Sequence, residues 1–184
     1  MKTMLLHSCC APCSSSVLEK LVAEYDVTVL YYNPNIYPKE EYEKRKAEQI
    51  RLINEVYPNV KFLDCDYDAD EYFKCVSGLE SEKEGGARCV KCFKLRMGYT
   101  AQKAKELGFD CFTTTLSVSP HKNSKLLNEI GEELSKKFDI EYIVSDFKKK
   151  DGYLRSIQLS KKYNLYRQNY CGCKFSMWFL NENQ

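Results

Sequence analysis

Short apolar runs of strand length alternate with longer amphipathic stretches along this chain, and that alternation limits its fold more than any other feature. Met4-Leu5-Leu6 reads as a buried strand. Ser14 to Tyr25 reads as a helix with Val17, Leu18, Leu21 and Val22 on one face, and Val27 to Tyr32 as a second strand closed by the turn Asn33-Pro34-Asn35. A charged helix is expected over Lys39 to Tyr57, a strand over Val60 to Leu63, a short helix over Asp70 to Leu79 and a loop over Glu80 to Ala87. The next helix is expected over Cys92 to Leu107 with Gly108 as its stop, followed by a strand over Cys111 to Leu116. Asn123 to Phe138, Glu141 to Val144 and Tyr153 to Tyr163 complete the series as helix, strand and helix. Strands alternating with helices of this length imply right-handed crossovers, so the expected fold class is α/β: a parallel sheet of about five strands with helices on both faces. Ligands of such sheets sit at the carboxyl ends of the strands.

A chain of 184 residues buries enough surface to need no cross-links, yet it carries ten cysteines. Met1-Lys2-Thr3 leads into an apolar run that breaks at His7, with no targeting pattern and no membrane-length apolar stretch, so a cytoplasmic protein without a membrane partner is expected. In a reducing compartment, clustered thiols point to metal binding or redox chemistry. Their positions follow the strand ends. Cys9, Cys10 and Cys13 come after the first strand, Cys65 after the third, Cys89 and Cys92 at the start of the helix before the fourth, and Cys171 and Cys173 beyond the last helix. Cys65, Cys75 and Cys111 sit in or beside apolar segments and read as core residues.

Three constellations carry chemistry. Cys10-Ala11-Pro12-Cys13 has the spacing and strand-to-helix context of a thioredoxin-like dithiol, with Cys9 as an extra neighbouring thiol. Arg88-Cys89-Val90-Lys91-Cys92 supplies a pair at metal-ligand spacing, so Cys9, Cys10, Cys89 and Cys92 offer four thiolates to zinc or to an iron–sulfur cluster. Spacing does not separate the two, although adjacent ligands suit a cubane better than one tetrahedral ion. Cys171-Gly172-Cys173 can close a small, strained and readily reduced ring, a reversible store of two electrons, or can complete a metal site with Cys89 and Cys92.

These motifs stand beside Tyr32-Asn33-Pro34-Asn35-Ile36, Pro38, Glu41-Tyr42, Arg45, Thr113-Thr114-Thr115-Leu116, Ser119-Pro120-His121-Lys122 and Tyr166-Arg167-Gln168 with Tyr170. Together and in this order they resemble the cobalamin-independent epoxyqueuosine reductases, the QueH family, over nearly the whole chain. The resemblance implies a Rossmann-like fold of the HUP type and a reductase for the last step of queuosine biosynthesis, acting on epoxyqueuosine at the wobble position of the tRNA anticodon loop. It further implies a 4Fe-4S cluster on Cys9, Cys10, Cys89 and Cys92, and a redox-active pair of Cys171 and Cys173. One domain over residues 1–184 is expected, with the segment from about 164 to 184 returning to the active site.

Deoxygenating an epoxide takes two electrons and two protons, whereas one cluster ordinarily passes electrons singly, so a second store or a second metal is needed. Cys13 is left over from the cluster count and is a candidate ligand, with one of Asp64, Asp66, Asp68 or Asp146, for an additional mononuclear iron. An anticodon base calls for aromatic stacking and phosphate contacts, for which Tyr32, Asn33, Arg167 and Tyr170 are the candidates. The net charge of +2 leaves tRNA to a local patch, expected around Lys148-Lys149-Lys150, Arg155, Lys161-Lys162 and Arg167. An electron donor is required and not identified. Two other classes fit parts of the pattern: a thiol–disulfide oxidoreductase on Cys10 and Cys13, and a zinc-bound RNA-binding protein.

Overall fold

The computed structural model describes residues 1–177. Strands β1 (Lys2–His7), β2 (Tyr25–Leu30), β3 (Lys61–Leu63), β4 (Cys111–Thr114) and β5 (Glu141–Tyr142) pair in the order β3-β2-β1-β4-β5, every pair parallel. Helices α1 (Ala11–Leu21), α2 (Lys39–Val56), α3 (Ala69–Cys75), α4 (Ala87–Glu106), α5 (Ser124–Phe138) and α6 (Gly152–Lys162) make the connections and cover the sheet.

Side-chain alternation along the strands builds a core on each face. Leu5, Leu30 and Phe112 meet Phe93 and Met97 of α4 and Leu127 and Ile130 of α5. Met4, Leu6, Val27, Val29 and Cys111 meet Val17, Leu18 and Leu21 of α1 and Ile53 of α2, while α6 lies along α1. This is the expected α/β architecture. Of the three cysteines assigned to the core, Cys111 is fully buried in it and Cys65 is half-buried against it, whereas Cys75 is half-buried on α3 outside the core.

The element boundaries differ where caps decide them. Helix α1 opens at Ala11, because Pro12 at its first turn is preset for helical φ, and it ends before Tyr25, which opens β2. Helix α4 starts at Ala87 rather than Cys92, so Cys89 is already helical and faces the same way as Cys92 and, one turn on, Arg96. Strand β4 stops at Thr114, whose hydroxyl accepts from the Leu116 amide and starts a 3-10 turn over Thr115–Val118. The order of strand addition reverses at β1, with β2 and β3 on one side of it and β4 and β5 on the other. The crevice beyond the carboxyl ends of β1 and β4 is therefore the expected ligand position.

Candidate active site

Beyond β1, the turn Ser8-Cys9-Cys10 is propped from below by buried polar side chains. The Ser8 amide donates to Leu30 O, Asn33 Nδ2 donates to Ser8 O at 2.8 Å, and the hydroxyls of Ser8 and Ser14 both donate to Gln49 Oε1, at 2.7 and 2.9 Å. His7 ties three strand ends together. Its Nε2 lies 3.0 Å from Tyr32 O, a carbonyl that only accepts, so Nε2 carries the proton and Nδ1 accepts from the Thr114 hydroxyl at 3.0 Å. Burial, with help from Arg96, pushes its pKa down to about 4, so the ring is neutral.

The turn brings the thiols of Cys9, Cys10 and Cys13 within 4.8 Å of one another, with the sulfurs of Cys9 and Cys10 3.8 Å apart. Among the described residues this is the one group of three or more His, Cys, Asp or Glu so arranged. Hydrogen bonds from Cys10 and then Cys13 hold Cys9 well below the ordinary thiol range, while sharing a proton with Cys10 pushes Cys13 well above it. The trio therefore favours a thiolate that the neighbouring thiols stabilise by hydrogen bonds.

A second set of thiols assembles from distant segments. Cys89 and Cys92 on α4, together with Cys171 and Cys173, line a cavity of about 30 Å³ that also receives Arg96, Glu84 and Lys122. Burial pushes Cys92 up to about 12 and raises Cys89. The Cys-Gly-Cys turn is fastened by α2. Arg45, 1 % exposed, pairs with Glu41 at 2.7 Å and donates to Cys171 O and Tyr170 O at 3.0 and 3.2 Å. Tyr166 donates its hydroxyl to Glu41 and its amide to Glu48, and Arg51 donates to Tyr163 O and Asn164 O. Gly172 has φ +132°, and a Cβ there would lie 3.1 Å from both Arg45 Nη1 and Ile36 Cγ1, so glycine is required.

A cavity of about 460 Å³ joins the two sets: Cys9, Cys13 and Cys171 line it beside His121, Lys122, Arg167 and Tyr170. Cys171, Glu84, His121 and Lys122 border both cavities. Burial works against the charge on Lys122, but the sulfurs of Cys171, Cys9 and Cys13 outweigh it, and its pKa is raised. All ten cysteines are free thiols.

Of the expected substrate contacts, Arg167 and Tyr170 lie on the cavity wall. Tyr32 and Asn33 are 3 % and 1 % exposed, Tyr32 stacked on Tyr99 at 3.8 Å and Asn33 bonded to the Ser8 carbonyl, so they sit beneath the thiol turn. The four aspartates considered for a second metal are not on the cavity wall: Asp64 pairs with Lys46 at 2.5 Å, Asp66 lines a separate pocket beside Cys65, Asp68 caps α3 and Asp146 pairs with Lys148. The carboxylate that does border the thiols is Glu84. The basic patch is also redistributed. Lys148 donates to Lys122 O and the Ser124 hydroxyl, Arg155 chelates Glu19, and Arg167 donates to the Ser160 hydroxyl at 3.1 Å. Lys148 thus supports the loop that carries Lys122. Sequence reasoning missed Arg96, although its spacing from Cys89 and Cys92 marks one helix face. It also missed Gln49, whose neighbours in a charged helix gave no sign of burial. Residues 178–184 of the expected returning segment lie outside the described residues.

A sequence model of the family described as epoxyqueuosine reductase QueH matches residues 4–178. The epoxyqueuosine reductase QueH of Streptococcus pyogenes serotype M1 is 46 % identical over 178 residues, covering 95 % of this chain and 70 % of the relative. That of Thermotoga maritima is 36 % identical over 180 residues, covering 96 % and 91 %. In structure, the chain is similar to a predicted subunit of a tRNA methyltransferase from Methanocaldococcus jannaschii, with a TM-score of 0.54 at 16 % identity over 86 % of this chain and 74 % of that one, a likeness of fold. Among the described residues no helix is long and apolar enough to cross a membrane. With the family model and relatives at this identity spanning almost its full length, the chain belongs to the epoxyqueuosine reductase QueH family, oxidoreductases of tRNA queuosine biosynthesis.

Proposed function

We propose that this chain removes the epoxide oxygen of epoxyqueuosine at the wobble position of tRNA, with Cys9, Cys10, Cys89 and Cys92 holding a 4Fe-4S cluster and Cys171 with Cys173 as the redox-active pair. The observation that carries this reading is the convergence of both thiol sets on one crevice at the β1/β4 switch point, with Cys171 on the wall of both cavities. The chemistry of the residues supports such a group: Cys9 and Cys10 stand in the close trio, Cys89 and Cys92 line the small cavity, and beside that cavity are a half-buried lysine, Lys122, and a buried arginine, Arg96, whose Nε and Nη2 protons have no partner. When bound, the cluster supplies single-electron transfer.

The chain's own residues account for the rest of the chemistry. Oxidation of the Cys171/Cys173 dithiol to a disulfide releases two electrons and two protons; the two C–O bonds break, the alkene forms and the oxygen leaves as water. An electron donor then reduces the disulfide. Lys122 Nζ, kept protonated among sulfurs, presents a positive charge to the oxygen as its C–O bonds break. Arg167 and Tyr170 border the space for the nucleoside and the adjoining phosphate, while Tyr32 and Asn33 act indirectly by holding the thiol turn. The close trio favours one addition: Cys13, within 4.8 Å of Cys9 and Cys10 but outside the four cluster ligands, contributes to a mononuclear iron beside the cluster.

Anaerobic purification, an absorption spectrum, metal and sulfide analysis, and mass spectrometry of nucleosides from treated tRNA test the proposal. It requires a brown protein that converts epoxyqueuosine to queuosine, and more than four irons per chain if Cys13 holds a further ion. Zinc alone with full reductase activity would overturn the cluster, and a colourless protein active only on protein disulfides would assign Cys10 and Cys13 to thiol exchange.

A further inference from the structure

The three largest fully buried side chains in the molecule are arginines: Arg45, Arg88 and Arg96. A guanidinium stays charged at any pH a folded protein survives, so each needs an anion or a set of acceptors. Arg45 has Glu41 and two carbonyls. Arg88 donates through Nη1 to the carbonyls of Leu79, Glu80 and Glu82 and rests on the Phe175 ring. Nε and Nη2 of both Arg88 and Arg96 lack a partner, but Arg88 has those three carbonyls on Nη1, whereas Arg96, 1 % exposed, makes no ion pair among the described residues. Its guanidinium lies 5.9 Å from the Phe93 ring, and the groups around it that can become negative are the thiols of Cys92, Cys171 and Cys9 and the hydroxyl of Tyr72. It shares a face of α4 with Cys89 and Cys92 and borders the small thiol cavity.

We propose that Arg96 is a positioning residue for the redox group held by the thiols: its unpaired Nε–H and Nη2–H bond the sulfur of that group, and its fixed charge sets the group's potential. This rests on the cluster reading above. A cubane ligated by four thiolates is anionic and gains a further negative charge on reduction, so a neighbouring cation that cannot lose its proton favours the reduced state. In a site closed to water that charge is weakly screened.

The test compares wild type, Arg96→Met and Arg96→Lys, purified anaerobically, by redox titration followed in the absorption spectrum and by thermal unfolding of the metal-free and iron-loaded forms. Arg96→Met is expected to lower the equilibrium constant for cluster reduction at least tenfold, a downward shift of about 59 mV for a one-electron couple, and Arg96→Lys to restore most of it. The loaded Met variant should melt below loaded wild type, whereas the metal-free Met variant should melt no lower than metal-free wild type, since it has lost a buried charge with no partner. A midpoint in Arg96→Met equal to that of wild type overturns the proposal, as does a metal-free Met variant destabilised as much as the loaded one. Iron uptake by the Lys variant but not the Met variant supports the requirement for charge. Wild type without cluster absorption would instead defeat the cluster reading itself.

Discussion

The two thiol sets reach the same crevice by opposite routes. Cys9, Cys10 and Cys13 lie within one strand-to-helix turn, and their proximity follows from chain connectivity once β1 ends and α1 begins. Cys89, Cys92, Cys171 and Cys173 come from the first turns of α4 and from a segment beyond α6, so they meet only when the tertiary structure forms. Yet one helix supports both. From α2, Gln49 holds the Ser8 and Ser14 hydroxyls beneath the trio, while Glu41, Arg45, Glu48 and Arg51 hold the backbone from Tyr163 to Cys171. These positions recur at three- and four-residue spacing. A helix whose sequence reads as a solvated charged face is the part that sets one thiol group against the other.

The largest expected effects separate the roles of the two sets. With Cys89 a cluster ligand as proposed, Cys89→Ser should lose cluster absorption and bound iron together with more than about 100-fold of activity. Cys173→Ser should lose activity to the same order while keeping its colour, because the electron store is lost and the ligands are not. Loss of iron from Cys173→Ser to the extent seen in Cys89→Ser would show instead that the small cavity is itself the ligand set. Next comes Arg45→Met, which leaves the Glu41 carboxylate and the carbonyls of Tyr170 and Cys171 without their partner. Breaking a buried pair in this way costs about 3–5 kcal/mol. Denaturant unfolding should report that loss, and limited proteolysis should find the segment from 163 onward cut before the rest of the chain.

Sequence patterning exposed the sheet and the trio because both are local. The five strands and six helices follow from periodicity, and adjacency alone placed Cys9 beside Cys10. The errors fall where a cap or a distant partner decides. Helix α4 begins at Ala87, not at Cys92, which puts Cys89 within its first turn. Tyr32 and Asn33 stand at a strand end and turn where a substrate contact is expected, but both are buried, and the Asn33 amide is committed to the Ser8 carbonyl. Lys148 reads as part of a solvated basic run, and only the fold shows its ammonium bound to the loop of Lys122. The expected aspartate ligands failed for a related reason: following a strand end is not the same as facing the β1/β4 switch point, and Asp64 follows β3 at the sheet's far edge. Arg96 was hidden because its spacing puts it on the face of Cys89 and Cys92 only once α4 is known to start ahead of Cys89.

His7 offers a pH probe of the trio's support in the metal-free protein. Its folded pKa of about 4 lies below the ordinary histidine value of 6.5, so between these values the unfolded chain binds more protons than the folded one. Its stabilising contribution is complete above pH 6.5 and is lost as pH falls toward 4, by an amount on the order of 3 kcal/mol. Carboxylates titrate across part of this range, so the quantity to measure is the difference in unfolding free energy between wild type and His7→Gln at each pH. That difference should shrink steadily from pH 6.5 downward. If it stays constant, His7 is not held as the neutral Nε2–H tautomer between Tyr32 and Thr114.

Gly172→Ala tests whether the second set depends on backbone geometry that the first does not use. At φ +132° an alanine is strained, and its Cβ would press on Arg45 Nη1 and Ile36 Cγ1 at 3.1 Å. Neither neighbour can yield freely. Arg45 is committed to Glu41 and two carbonyls, and Ile36 is fully buried. The turn must therefore rotate toward an allowed φ, at a cost of about 1–3 kcal/mol. Rotation carries the sulfurs of Cys171 and Cys173 away from the wall shared by the two cavities. Turnover should fall about tenfold or more, while iron content and absorption stay at wild-type values, because Cys9, Cys10, Cys89 and Cys92 are untouched. The reduced thermal midpoint and unchanged iron must appear in the same preparation. A variant that keeps full turnover would mean that Cys171 and Cys173 act without a fixed turn, and the division between a connectivity-built set and a fold-built set would then carry no functional weight.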